Sequence, residues 1–179
     1  SSSSSSSLSF VAVVKVFSFF SLSFFGAGWF NKPIAMFNSP ARKTLWLDTD
    51  CEVTCPTIET IFNWTEEGKL GMVEDRPWTK RRGTMGIWHN SGVVVFQGSP
   101  NILKRWSDEC IANPVQGDQE TLYGMIRGND IVRMGIIRSI PHRYNTLRLD
   151  YIDNIASKRP CVIHHTGHKG NLIIKRKIG

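Results

Sequence analysis

An apolar segment that runs directly into a pair of aspartates limits the fold of this chain more than any other feature. Residues 44–47 have the composition of a buried strand, and Asp48 and Asp50 follow at once. In an extended backbone their spacing places both carboxylates on the same side. Carboxylate oxygens at the end of a buried strand suit Mg²⁺ or Mn²⁺. The segment therefore predicts a metal site at the edge of a sheet, with a solvated strand end as the alternative.

Strand-like and helix-like segments alternate along the chain from residue 31 onward. Short apolar runs indicate strands at residues 44–47, 71–73, 93–96, 136–140 and 162–163. Apolar residues at helical spacing indicate helices within residues 34–38, 56–62, 99–111 and 117–126. Residues 76–86 have the composition of a loop. This order predicts an α/β fold with a mainly parallel sheet flanked by helices, in which ligands bind at the carboxyl ends of the strands.

The N-terminal segment differs in composition from the remainder of the chain. Seven serines begin it, and residues 8–30 are largely apolar but contain Lys15. A segment of this length can span a bilayer. A buried strand from Phe10 to Phe17 and a translation artefact are open alternatives. We therefore separate an N-terminal segment, residues 1–28, from one folded domain, residues 29–179.

A net positive charge limits the kind of partner that the chain can bind. There are 22 Lys and Arg residues against 15 Asp and Glu residues, which gives a formal net charge of +7. This balance favours nucleic acid, an acidic membrane surface or a phosphorylated small molecule. The basic clusters at residues 80–82 and 175–177 are not interleaved with aromatic residues, as they would be in a nucleic-acid-binding groove. We therefore expect no nucleic-acid partner, while association with a membrane surface stays open.

The cysteines form no recognisable disulfide framework. There are four of them, Cys51, Cys55, Cys110 and Cys161. We predict reduced, mostly buried thiols in a non-oxidising compartment, namely the cytoplasm or the cytoplasmic face of a membrane. Anchoring in a membrane through residues 8–30 is the alternative location. Cys51 and Cys55, together with His164 and His165, would also suit a zinc site.

Polar motifs occur at the ends of other predicted strands and at the starts of predicted helices. In chain order the motifs are Lys32, Asp48-Thr49-Asp50, Asn90-Ser91-Gly92-Val93, Asp118-Gln119, Pro141-His142-Arg143-Tyr144-Asn145 and His164-x-x-Gly167 with Lys169. Their order resembles glycosyltransferase family 8, a group of A-type glycosyltransferases that includes glycogenin and bacterial lipooligosaccharide galactosyltransferases. The resemblance covers about residues 29–170.

The resemblance implies the A-type fold of nucleotide-diphospho-sugar transferases. It also implies metal-dependent transfer of a hexose from a nucleotide diphosphate sugar to a glycan or glycolipid acceptor, with retention of the anomeric configuration. Residues 29–179 would then be the catalytic domain. Asp48, Asp50 and His164 are the implied ligands of Mn²⁺ or Mg²⁺, which would neutralise the diphosphate leaving group. For His164, a hydrogen-bonded core histidine is the alternative.

Several of the remaining motif residues are implied to bind the donor. Lys169 would contact the diphosphate, and Lys32 would reach the donor sugar or its phosphate. Solvated surface lysines are the alternative for both. The small residues Ser91 and Gly92, beside Asn90, would let the sugar ring approach the backbone closely. A turn at the entry to a strand is the alternative for these three residues.

Asp118 and Gln119 are the candidate catalytic residues. The resemblance implies that they form hydrogen bonds with sugar hydroxyls beneath the reacting carbon. A helix N-cap is a further role that Asp118 can fill at the same time. Asp75, at the end of a predicted strand, is a candidate for contact with the acceptor.

Two departures from the family pattern affect these expectations. The family ends its last motif with Lys-Pro-Trp, whereas Lys169 stands one residue closer to the histidine and is followed by Gly170-Asn171. The first strand-helix-strand of the family, which holds the nucleotide base, has no counterpart here, so we expect an N-terminally truncated fold. The alternatives to a transferase are a non-catalytic relative that binds sugar and metal, or a metal-dependent nuclease or phosphatase.

Overall fold

A mixed five-stranded sheet forms the centre of the computed structural model, which describes residues 11–15, 31–82 and 86–178. The strands are β1 (Val11–Lys15), β2 (Lys43–Leu47), β3 (Cys51–Val53), β4 (Leu70–Glu74), β5 (His89–Gln97), β6 (Ile137–Ser139), β7 (Thr146–Leu147) and β8 (Val162–His164). The large sheet has the order β1-β2-β5-β4-β6. A second sheet of three short strands has the order β3-β8-β7.

Helices flank the two sheets. They are α1 (Asn31–Phe37), α2 (Arg76–Arg82), α3 (Asn101–Ala112), α4 (Asp118–Ile126), α5 (Asp130–Ile136), α6 (Arg148–Ile152) and α7 (Gly167–Ile178). Two 3₁₀ helices cover Ile58–Trp64 and His142–Tyr144. α1 and α4 both pack against α3, so these three helices form one layer on the large sheet.

The hydrophobic core packs against both faces of the central strand β5. Val93, Val94, Val95 and Phe96 are completely buried. Because successive side chains of a strand point to opposite faces, Val94 and Phe96 join the core cluster that contains apolar residues of α3 and α4. Val93 and Val95 join a second cluster, which includes apolar residues of the first 3₁₀ helix and of β8.

The end of β2 and the start of β5 meet at one edge of the large sheet. The two strands are antiparallel, and Leu47 pairs with Val93. The backbone N–H of Asp48 then donates to the carbonyl oxygen of Gly92 at 2.8 Å. The aspartate pair and the polar residues that begin β5 are therefore neighbours, although more than forty residues separate them in the sequence.

Strand direction is the point at which the sheet differs from the predicted one. The α/β arrangement with flanking helices is confirmed, and β1–β2 and β4–β6 are parallel pairs. However, β5 runs antiparallel to both of its neighbours, so the sheet is mixed. The unbroken apolar run of β5 shows that it is buried on both faces, and such a run carries no information on direction.

The segment predicted to be a loop at residues 76–86 contains helix α2. The Asp75 carboxylate accepts a hydrogen bond from the backbone N–H of Trp78 at 3.0 Å, and its carbonyl oxygen accepts one from Thr79 at 2.8 Å. Asp75 therefore caps the start of the helix. The basic residues of the segment are compatible with an exposed helical face, which composition alone did not reveal.

Part of the N-terminal segment is a strand. β1 pairs in parallel with β2 along its whole length, so the strand alternative applies to Val11–Lys15. The other residues proposed for a membrane anchor lie outside the described part of the chain. None of the helices within the described residues combines the length and the apolar character needed to cross a membrane.

Cys55 and Cys161 form a disulfide, which corrects the prediction that all four thiols are reduced. The two cysteines are 106 residues apart in sequence, and pairing between β3 and β8 brings them together. Cys51 and Cys110 are buried, free thiols. Disulfides are typical of oxidising compartments, so the cysteines no longer support the cytoplasmic location.

Candidate active site

A cleft of about 400 Å³ opens at the edge where β2 ends and β5 begins. The residues that line it come from several segments that are distant in the sequence. Those predicted from the sequence are Asp48, Asp50, Asp75, Asn90, Ser91, Gly92, Asp118, Gln119 and His164. The cleft thus collects both carboxylates of the aspartate pair, the polar start of β5, the start of α4 and the end of β8.

Asp50 and His164 form a close pair on one side of the cleft. Nε2 of His164, the last residue of β8, lies 3.1 Å from Oδ1 of Asp50. The backbone of the next residue, His165, donates to the carbonyl oxygen of Asp50 at 2.9 Å. Burial alone would raise the pKa of Asp50, but the hydrogen bond and the charge of His164 outweigh it and lower that pKa. An ionised carboxylate and an imidazole in this arrangement fit a divalent cation.

The orientation of the His164 ring is set by Asn90. The Asn90 amide nitrogen donates to Asp75 at 3.1 Å and to Gln119 at 3.2 Å. Its oxygen therefore lies against Nδ1 of His164, at 3.0 Å. Because an amide oxygen only accepts, Nδ1 carries a hydrogen. Nε2 is then the ring nitrogen directed at Asp50 and available to a cation there.

Gly92 is required beneath the same imidazole. A Cβ atom built on Gly92 would overlap the His164 ring. The backbone N–H of Gly92 donates to the oxygen of Asn90 at 3.0 Å, which holds the turn at the start of β5. We predicted that a sugar ring would approach the backbone closely at this glycine. In this structure the His164 ring occupies that position.

Lys32 is a buried cation between two carboxylates, not a surface lysine. Its ammonium lies 2.9 Å from Asp48 and 3.1 Å from Asp118, and it donates to the Ser91 hydroxyl at 3.3 Å. Burial alone would lower the pKa of Lys32, but the charges of Asp118 and Asp48 outweigh it and raise that pKa. Lys32 therefore stays charged and links α1, β2 and α4 at the edge of the cleft.

Asp48 lies on the lysine side of the cleft. Its carboxylate contacts Lys32 and accepts a hydrogen bond from the indole N–H of Trp46 at 2.8 Å. Within the described residues, the group whose ligand atoms lie within 4.8 Å of one another is instead Asp50, Cys51 and His164. The structure thus brings two of the three predicted metal ligands together, and the metal contact of Asp48 stays a prediction.

Gln119 closes a network of amides and a carboxylate at the start of α4. Its amide nitrogen donates to Asp75 at 3.0 Å, and its oxygen accepts from the backbone N–H of Ser91 at 3.3 Å. Asp75 therefore binds Asn90 and Gln119 simultaneously. These hydrogen bonds fix the Gln119 side chain against the wall of the cleft.

Several solved glycosyltransferases share this architecture. The galactosyltransferase LgtC, in complex with donor and acceptor sugar analogs, matches with a TM-score of 0.54 and 15% sequence identity over 77% of this chain and 58% of that chain. A glycosyltransferase involved in glycosylation of the major capsid of PBCV-1 matches with a TM-score of 0.57 and 16% identity, over 82% of this chain and 74% of its own. The chain has an A-type glycosyltransferase fold. The fold predicted from the motifs is thereby confirmed.

The glycosyltransferase GlyE of Streptococcus pneumoniae has the same A-type fold, with a TM-score of 0.54 and 20% identity over 80% of this chain and 38% of that chain. No family model and no curated protein sequence matches. The chain spans a little over half the length of LgtC, 58%. The likeness therefore shows the A-type fold alone.

Lys169 is a predicted site residue that the structure does not bring into the cleft. It is exposed on α7, and among the described residues it does not line the cleft. The first residue of the same helix, Gly167, does line it, as does the preceding Thr166. The contact of Lys169 with a diphosphate stays a prediction.

The zinc set considered from the sequence does not assemble in the A-type fold. Cys55 is bonded to Cys161. His165 lies 2.9 Å from Glu52, on the other face of β8 from His164, and Glu52 also binds Lys177. Only Cys51 and His164 of that set face each other.

Sequence reasoning missed six residues that line the cleft, Trp78, Glu120, Leu147, Arg148, Leu149 and Thr166. Glu120 directly follows the predicted Asp118-Gln119 pair. Trp78 lies on α2, three residues after Asp75, in the segment that we predicted to be a loop. The helix cap at Asp75 is the signal that would have predicted α2 and placed Trp78 on it. Arg148 follows β7, a strand of two residues that is too short to leave an apolar pattern.

Proposed function

We propose that this chain is a metal-dependent glycosyltransferase that moves a hexose from a nucleotide diphosphate sugar to a glycan or glycolipid acceptor, with retention. The observation that carries the proposal is that motif residues from five separate segments meet at one cleft. Asp48, Asp50, Asn90, Asp118 and His164 line it, and Lys32 contacts both Asp48 and Asp118. The structural neighbours support glycosyl transfer in general terms.

Asp50 and His164 are proposed to hold Mn²⁺ or Mg²⁺, with Asp48 as a further ligand. Nε2 of His164 already faces Asp50 at 3.1 Å, so this side of the cleft needs no rearrangement to bind a cation. When bound, the cation would neutralise the charge that develops on the diphosphate as the glycosidic bond breaks. Lys169 is proposed as a second positive group for the diphosphate.

Lys32 is proposed to keep the sugar side of the cleft charged and ordered. It contacts Asp48 and Asp118 at once, so both carboxylates are held in fixed positions. Asp118 would then accept hydrogen bonds from hydroxyls of the donor sugar. Gln119, fixed by Asp75 and Ser91, would present its amide beneath the reacting carbon.

The small residues at the start of β5 are proposed to make room at the cleft, Ser91 for the sugar ring and Gly92 for the His164 imidazole beside it. Ser91 and Gly92 line the cleft beside Asn90. Asp75 and Trp78 line the cleft where α2 begins. We propose this side for the acceptor, because an indole beside polar groups suits a sugar face.

A donor screen tests the proposed function. The chain would be incubated with uridine, guanosine and adenosine diphosphate sugars and Mn²⁺, and released nucleoside diphosphate would be measured. We expect release with at least one donor, its loss on chelation, and its loss in Asp50→Asn. Asp108→Asn, on the exposed surface of α3, is the matched control and should behave as wild type.

Two other results would lead to the alternatives. Metal-dependent binding of a nucleotide sugar without any release would indicate the non-catalytic relative. Metal-dependent cleavage of nucleic acid or of a phosphomonoester, with no action on any nucleotide sugar, would indicate the nuclease or phosphatase.

A further inference from the structure

Cys51 lies at the predicted metal site, although it is not one of the ligands that the aspartate pair and the histidine motif predict. It follows Asp50 directly, and in the antiparallel pairing of β3 with β8 it stands opposite His164. The thiol sulfur, a carboxylate oxygen of Asp50 and a ring nitrogen of His164 lie within 4.8 Å of one another. Three different ligand types from two strands therefore converge on one point.

The Cys51 thiol is free to serve as a ligand. It takes no part in the Cys55–Cys161 disulfide and is a buried free cysteine. Its hydrogen bond goes to the carbonyl oxygen of Gly92 at a sulfur–oxygen distance of 3.5 Å. A thiol is a weak donor, so replacing this contact with a metal–sulfur bond loses little.

We propose that Cys51 is a third protein ligand of the ion held by Asp50 and His164. The inference deepens the proposed function and rests on its metal site. On coordination the thiol releases its proton to solvent, and the sulfur binds as a thiolate. A set of one carboxylate, one imidazole and one thiolate is a mixed O, N, S set, which suits Zn²⁺ and Co²⁺ better than Mg²⁺.

Coordination by Cys51 would change which metal ion the site prefers. Three protein ligands of mixed type are also the pattern of catalytic zinc sites. Asp48, whose carboxylate contacts Lys32 and Trp46, would be a further oxygen ligand beside these three. The aspartate pair, which offers only oxygen ligands, predicted Mg²⁺ or Mn²⁺. With Cys51 as a ligand, the site would instead prefer Zn²⁺ or Co²⁺ to Mg²⁺.

Cobalt absorption tests the proposal without any measurement of activity. The chelator-treated 179-residue chain would be titrated with Co²⁺. A thiolate ligand gives a sulfur-to-cobalt charge-transfer band in the near ultraviolet, which carboxylate and imidazole ligands do not give. We expect this band in the wild type and in Cys110→Ser, which changes the other free, buried cysteine. We expect Cys51→Ser to lose the band. Its affinity for Co²⁺ should also fall by at least about tenfold, which is the loss that removal of an outer-shell partner of a metal ligand causes.

The possible outcomes separate this inference from the proposed function. Co²⁺ binding that needs Asp50 and His164 but shows no charge-transfer band in the wild type would overturn the role of Cys51 and leave the transferase proposal intact. A band that persists in Cys51→Ser would also overturn it. Absence of Co²⁺ binding would contradict the metal site itself. Because the band is read first in the wild type, the test does not depend on the folding of a variant.

Discussion

Lys32 is the residue on which the charge balance of the cleft depends. Its ammonium is shared by Asp48 and Asp118, and its side chain is only 8% exposed. Without it, two carboxylates would face each other across a partly buried space. A buried charge that loses its partner is costly, whereas an exposed ion pair contributes little. The two kinds of ion pair in this chain can therefore be compared directly.

Replacing Lys32 with methionine is expected to lower the free energy of unfolding by about 2–4 kcal/mol, at or just below the range for breaking a buried pair. Lys104→Met removes the exposed pair with Asp108 on α3 and is expected to cost less than about 1 kcal/mol. Urea unfolding of both variants measures the difference. Equal losses would show that Lys32 acts as an ordinary surface lysine.

Gly92→Ala tests the contact between β5 and the imidazole. The added Cβ would overlap the His164 ring and displace it from Asp50. We expect nucleoside diphosphate release to fall about a hundredfold, the effect of misplacing a catalytic group by about 1 Å. Gly124→Ala on α4 is the control, since a Cβ there meets no neighbour. Full activity in Gly92→Ala would show that the ring position is not needed.

His89 predicts a specific sensitivity to acid. Burial, helped by the charge of Arg133, lowers the pKa of His89 to about 4. The unfolded chain therefore binds the proton first, and stability falls as the pH drops from about 6.5 to about 4. The loss is up to about 3 kcal/mol in total. As the pH is lowered across this range, the urea midpoint of unfolding should fall less for His89→Asn than for wild type. If the two midpoints fall by the same amount, the role of His89 is contradicted.

At the scale of elements, β3 and β8 carry the pair on which metal binding depends. β3 directly follows Asp50, and β8 ends in His164. The disulfide between Cys55 and Cys161 connects the chain just beyond β3 to the chain just before β8. Three-residue strands have few ladder hydrogen bonds of their own, so the covalent link is expected to hold the two ligands at a constant separation.

The double variant Cys55→Ser, Cys161→Ser tests this role. The closed segment is 106 residues long, and in the chain-entropy model a loop of about that size contributes roughly 4–5 kcal/mol. We expect a loss of stability approaching that value and weaker binding of Co²⁺. Treatment of the wild type with a reductant should reproduce both effects. Unchanged unfolding with and without reductant would contradict the role of the disulfide.

The elements also show how much of the fold and of the site could be predicted from the sequence. β2 and β5 could be predicted because their apolar runs are buried and end in polar residues. α2 could not be predicted from periodicity, since it depends on the single cap at Asp75. The disulfide could not be predicted either, and the Asp50–Cys51–His164 group was predicted only in part, as two separate candidate sites that both contained His164. They arise from pairing between β3 and β8, two short strands that only the folded chain brings together.

At the scale of the whole molecule, the cleft is built from segments that span most of the chain. Lys32 and His164 lie at nearly opposite ends of the described sequence, yet both contact an aspartate of the same pair. In the part of the chain that the structure describes, the carboxylates, amides and imidazole that line the cleft suit a cation and sugar hydroxyls. We assign none of these lining residues to recognition of a nucleotide base.

We therefore predict that the 179-residue chain binds nucleotide sugars weakly and with little preference among uridine, guanosine and adenosine forms. The reason is that recognition would rest on the diphosphate and the sugar, which these donors share. Titration calorimetry in the presence of Mn²⁺ measures both affinity and selectivity. Micromolar, base-selective binding would contradict the prediction and assign base recognition to residues outside those discussed.

Metal-dependent turnover of a nucleotide sugar in wild type, Asp118→Asn and Asp108→Asn tests the central claim most directly. The three proteins would first be compared by circular dichroism, because Asp118 also contacts Lys32. The account predicts nucleoside diphosphate release in the wild type and in the surface control Asp108→Asn, and its loss in Asp118→Asn at equal secondary structure content. Release that is equal in all three proteins, or that persists without a metal ion, would contradict it.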